Sequence, residues 1–153
     1  MRFRGEHNQR SDAKCRVSIP AEFRRQLTSH GDARLVLVRS LHGGCAAVYP
    51  AQAWEAHEAK LLAMPQSQPA VKHVMRFQVA SAVEVTPDGH GRVLLAQALR
   101  DYADIGPRSD VVVVGQGDRF ELWNRGRWQA ALAEAEAARA GEDFGEVLAE
   151  LGL

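Results

Sequence analysis

The chain has 153 residues, 46% of them hydrophobic and 25% charged, with a formal net charge of zero. That profile fits a folded globular protein rather than a disordered chain. The apolar runs in "RLVLV" and "DVVVV" are a fraction of the roughly 20 residues a bilayer span needs, and "MRFRGEHNQR" lacks the apolar segment of a secretory signal. No membrane partner is expected, a cytoplasmic location is, and Cys15 and Cys45 are expected to be free thiols.

The zero balance hides a polarity. Residues 1–40 carry nine basic side chains against four acidic ones, whereas residues 129–153 carry one base, Arg139, against six acids. Such a distribution suits an anionic partner at one end, or head-to-tail attraction between copies.

In chain order, "SDAKCRVSIP" opens the pattern. Asp12 and Arg16 bracket a turn that enters the alternation Val17, Ile19, which predicts a short strand with one buried face. Pro20 begins "PAEFRRQL" as a first helical residue, where its missing N–H costs nothing. "RLVLV" reads as a buried strand. Pro50 opens a second helix, "AQAWEAHEAKLLA", with Trp54, His57 or Glu58, Leu61 and Leu62 near one face. "AMPQSQPAVK", residues 63–72, has the composition of a connector.

The pattern then repeats. Displacing the chain by 76 positions sets Asp12 on Asp88, Arg16 on Arg92, Val17 on Val93, Ile19 on Leu95, Phe23 on Leu99 and Arg24 on Arg100. A displacement of 74 sets "VYPAQAW" on "LWNRGRW", which predicts a loop two residues shorter in the second copy. Each copy reads as turn, short strand, short helix, strand, strand, helix, with Gly89 and Gly91 suiting the second tight turn. "RWQAALAEAEAARA" and "DFGEVLAELGL" close the chain as helices, the latter with the apolar stripe Phe144, Val147, Leu148, Leu151. About 45 residues per copy cannot enclose a full core, so the two copies are expected to pack together and exchange strands.

Catalysis and metal binding find little support. His42 and Cys45 form one loose pair, where a closed zinc site calls for two close spacings. Cys15 has basic neighbours but no acid–base partner, and the second copy replaces it with Gly91. "GQGDRF" lacks the Lys-Ser/Thr of a phosphate loop. No catalytic residue, metal ligand or cofactor is therefore expected. The repeated Asp-x-x-x-Arg carries a different chemistry: a carboxylate beside an arginine fixes the direction of its planar donor fork, as bidentate readout of guanine O6 and N7 requires. Lys14, His90 and Arg10 lie alongside and suit phosphate contacts.

"FRGE", "DAKCRVSIPAEFR", "VYPAQAW", "DGHGRVLLAQALRDYA" and "VVVVGQGDRFELWNRGRW" together resemble the MraZ family of bacterial transcriptional regulators over nearly the whole chain. The resemblance implies an α+β fold, a tandem SpoVT/AbrB-like swapped-hairpin (double-split β-α-β) barrel with flanking helices, with repeats at residues 6–53 and 82–125 and a helical extension at 126–153. It also implies a ring-shaped homo-oligomer, associated with the nucleoid, that binds direct repeats in double-stranded promoter DNA upstream of the division and cell wall gene cluster. Arg16 and Arg92 would contact bases, and Asp12 and Asp88 would complete the two motifs. The other reading is an AbrB-like antitoxin or interaction scaffold whose acidic C-terminal helices grip a protein. Cys15 stands where family members carry glycine, which predicts a different backbone geometry in the first turn; "LAQALR" also lacks a common proline.

Overall fold

In the computed structural model, which describes residues 1–153, the first element is a strand that hydrophobic patterning does not reveal. Strand β1 (Glu6–Arg10) is the polar run "EHNQR". It is followed by β2 (Arg16–Ser18), helix α1 (Ala21–Ser29), β3 (Leu35–Arg39), β4 (Ala46–Pro50) and helix α2 (Ala51–Leu62). Pro20 and Pro50 stand one residue before α1 and α2 rather than at the first helical position, with φ −51° and −54°. Their extended ψ turns the chain from strand into helix.

The expected connector is partly helical. Pro69–Phe77 forms α3, with Pro69 in its first turn, and a 3₁₀ turn at Val79–Ser81 leads into the second copy. That copy comprises β5 (Val83–Val85), β6 (Arg92–Leu94), α4 (Gln97–Ala103), β7 (Asp110–Gly115) and β8 (Phe120–Asn124). Helices α5 (Arg125–Ala137) and α6 (Glu142–Leu151), joined by a 3₁₀ turn at Ala138–Ala140, end the chain. Six residues separate β3 from β4 and four separate β7 from β8, the predicted two-residue difference.

The copies interleave. The larger sheet has the order β1-β7-β8-β4-β3-β5, so the first strand of each copy pairs with a strand of the other, and β4 pairs β8 across the middle. All these pairings are antiparallel. A second sheet consists of β2 and β6 alone. No closed barrel is found: the larger sheet is open, with β1 and β5 as its edges.

One face of the larger sheet carries the main core, shared equally between the copies. Val17, Ile19, Phe23, Leu27, Leu35, Leu37 and Val48 meet their counterparts Val93, Leu95, Leu99, Ala103, Val111, Val113 and Leu122 in a single cluster. Phe3, Phe23 and Phe120 form an aromatic knot within it, their ring centroids 5.0–5.1 Å apart. On the opposite face, Trp54 of α2 covers Val36, Val38 and Ala47, while Trp128 of α5 packs with Trp123 over Val112 and Val114. Two expected apolar faces are only partly used. Leu62 of α2 is exposed, and so are Phe144, Val147 and Leu151 of α6, whose stripe meets only the preceding 3₁₀ turn, with the Arg139 guanidinium 5.9 Å from the Phe144 ring centroid.

Candidate nucleic-acid interface

β2 and β6 cross antiparallel with Val17 opposite Val93, Arg16 opposite Leu94 and Ser18 opposite Arg92. Both valines are buried, so alternation turns Arg16, Ser18, Arg92 and Leu94 to the other side of this ribbon. The two Asp-x-x-x-Arg turns thereby stand at opposite ends of one short surface.

Their local geometry is nearly identical. Oδ1 of Asp12 accepts from the N–H groups of Lys14 and Arg16, both at 2.9 Å, and Oδ2 accepts from Nε of Arg16 at 2.6 Å. In the second copy, Oδ1 of Asp88 accepts from the N–H groups of His90 at 2.9 Å and Arg92 at 3.0 Å, and Oδ2 from Nε of Arg92 at 3.1 Å. Each carboxylate therefore closes its own turn and holds its arginine at Nε, leaving the terminal nitrogens of the fork unclaimed by that carboxylate. Side-chain exposures of 31% for Arg16 and 27% for Arg92 mark guanidinium groups that are braced yet reachable. Arg92 also leans across the ribbon, with Nη1 3.6 Å from Oδ2 of Asp12.

The first turn does not take a different backbone geometry. Cys15 adopts φ +62° where Gly91 has φ +75°, and the same hydrogen bonds close both loops: Cys15 N to Asp12 O at 3.0 Å, Gly91 N to Asp88 O at 2.8 Å. A left-handed backbone at a residue with a Cβ costs about 1–2 kcal/mol. Burial of the thiol offsets part of it, since Cys15 is fully enclosed and its Sγ lies 3.5 Å from the Ile105 carbonyl oxygen. Burial also pushes the Cys15 thiol up from its ordinary value, against a smaller lowering by the Arg100 guanidinium. A reactive thiolate is not what this site holds.

Two arginines with no role assigned by the sequence complete the frame. Arg24 of α1 donates from Nε to the Ile19 carbonyl at 3.0 Å and lies under the second turn, where a Cβ on Gly91 would come within 2.6 Å of that nitrogen. Arg100 of α4, its counterpart, lies by Cys15 in the first turn. Each short helix thus lays an arginine against the turn of the other copy. The alignment of Arg24 with Arg100 was the available signal, but only the interleaved strands show what it serves.

Of the other candidate residues, Lys14, His90 and Arg10 are exposed beside the turns, and Arg10 lies 3.5 Å from Asp110. The two cysteines are free and buried, and no group of three His, Cys, Asp or Glu side chains is placed to hold a metal ion. No helix is long and apolar enough to cross a membrane.

The family model described as "MraZ protein, putative antitoxin-like" matches residues 2–77 and 79–144. The chain belongs to the MraZ family. Similar curated proteins, each named "Transcriptional regulator MraZ", come from Halorhodospira halophila and Coxiella burnetii, both 37% identical over 99% of either chain, and from Hydrogenovibrio crunogenus, 34% identical over 99% of this chain and 98% of that one. The MraZ match runs through both Asp-x-x-x-Arg turns, both short helices and α5.

The turn carboxylates give a pH signature. Hydrogen bonding from the backbone and then the side chain of Arg16, with further help from Lys14 and against burial, holds the Asp12 carboxyl down at about 2. The Arg92 amide likewise lowers Asp88. A depressed carboxyl contributes stability that is complete above its unfolded value near 4 and is lost as pH falls through the folded one. Acid titration followed by circular dichroism should therefore show the wild type losing more stability between about pH 4 and 2 than Asp12→Asn does. Identical acid profiles would mean that the carboxylate does not hold the turn.

Proposed function

We propose that this MraZ-family chain is a transcriptional regulator that binds double-stranded DNA through the paired turns on the β2–β6 ribbon, and that it is not an enzyme. The observation that carries the reading is the duplicated brace: two guanidinium forks, each held at Nε by its own carboxylate, on one exposed surface. Arg16 and Arg92 contact base edges in the major groove, Asp12 and Asp88 aim them, and Lys14, His90 and Arg10 meet the phosphates. The interleaved strands support treating residues 6–53 and 82–125 as two half-units of one swapped-hairpin head, with residues 126–153 as an extension.

The name shared by the relatives supports the regulatory role. Direct repeats upstream of the division and cell wall genes are the target we assign, read by a ring of copies associated with the nucleoid in the cytoplasm. Opposite charge at the two ends of the chain supports assembly between copies, and a ring raises the effective concentration of each weak head. The test is a titration of the protein against DNA upstream of its own gene and against a scrambled duplex, with particle size followed by light scattering. The upstream duplex should bind on the order of a thousandfold more tightly; equal affinity for both would end the reading. The uncovered apolar stripe of α6 favours a second reading, an antitoxin or scaffold, which co-purification of a toxin-like chain without any DNA binding would establish instead.

A further inference from the structure

The two turns share one geometry but not one environment. Beside the first stand Arg10, Lys14 and Arg108, all exposed. Arg108 has φ +52°, and its N–H donates to the Asp12 carbonyl oxygen at 3.2 Å, so its backbone is fastened to the turn itself. No carboxylate lies within ion-pair distance of Arg108, whereas Asp110 nearby is engaged by Arg10 at 3.5 Å and Arg125 at 3.7 Å.

The 76-residue displacement sets these three positions on Thr86, His90 and Asp32. At the aligned position the free cation is thus replaced by a carboxylate, and Asp32 is itself bound by Arg34 at 2.8 Å. Arg34 is shared further with Glu55 at 3.6 Å and Glu84 at 3.2 Å, so three acids surround the one arginine there. The ribbon between the turns is unequal as well: Leu94, 53% exposed, stands across from Arg16, while Ser18 stands across from Arg92.

We propose that Arg108 beside the first turn anchors a backbone phosphate of the duplex, through a guanidinium that has no counterpart at the aligned position, Asp32. The inference rests on the DNA-binding reading above. An exposed arginine without a carboxylate partner, on a segment pinned to a base-reading turn, offers a phosphate its charge without first breaking an ion pair. Around the aligned position, Asp32, Glu55 and Glu84 together carry more charge than the one Arg34 they share, so no free cation is offered there.

The test is a salt titration, read by fluorescence anisotropy, of wild type, Arg108→Gln and Arg108→Lys on the upstream and the scrambled duplex. Loss of one phosphate contact lowers the slope of log affinity against log salt by about 0.9, which is about eightfold in affinity at 0.1 M salt. Arg108→Gln should show that loss equally on both duplexes, and Arg108→Lys should restore it. A wild-type slope and affinity in Arg108→Gln would overturn the anchor, as would a loss confined to the upstream duplex, which would mark a base contact. Arg16→Ala and Arg92→Ala separate the two ideas: if neither weakens binding, the DNA-binding reading fails, and if both do while Arg108→Gln is silent, only the anchor fails.

Discussion

Arg16→Ala and Arg92→Ala are each expected to lower affinity for the upstream duplex by roughly 10-fold to 100-fold, the effect of losing about 1–3 kcal/mol of base discrimination. The double variant should approach the affinity of the scrambled duplex. The size follows from the brace: each fork is held at Nε by its carboxylate, so little side-chain freedom remains to be lost on binding. Truncation removes the fork and leaves the turn standing, because Oδ1 of each aspartate still accepts the two backbone N–H groups. Folding and assembly should therefore be retained, which unchanged circular dichroism and light scattering would verify. Arg92 also reaches Asp12, so the two losses should not add independently. Wild-type affinity in both single variants would contradict the assignment.

The second large effect concerns stability. Phe23→Ala is expected to cost about 3–5 kcal/mol, the usual penalty for deleting a fully buried phenylalanine. Phe23 lies in α1 of the first copy and touches Phe120 in β8 of the second, with Phe3 completing the knot. A core held in common unfolds as one unit. Wild type and variant should each melt in a single transition, with Trp54 of the first copy and Trp123 and Trp128 of the second reporting the same midpoint. Two separate midpoints would show that the copies hold cores of their own.

Much of this was legible because the chain says it twice. The 76-residue displacement aligns Val17 with Val93, and these two residues face each other at the centre of the ribbon. The apolar runs became β3 and β7 in the expected places. The strands that complete the interleaving were not legible. β1 has no apolar residue and takes its place by pairing with β7, while β5 has only three residues, "VEV", whose alternation is too short to register. α3 was obscured by the Pro, Gln and Ser that precede it. Cys15 misled in the other direction, since its side chain implied a backbone that the turn does not adopt. The roles of Arg24 and Arg100 depend on strand exchange, and no local pattern encodes which copy a side chain will meet.

A structure of the protein bound to the duplex upstream of its own gene tests the central claim most directly. The terminal nitrogens of Arg16 and Arg92 should lie within hydrogen-bond distance of base edges in one major groove, with Asp12 and Asp88 still holding Nε behind them. A duplex seated on α2, α3 or α5, with the β2–β6 ribbon left facing solvent, would contradict it.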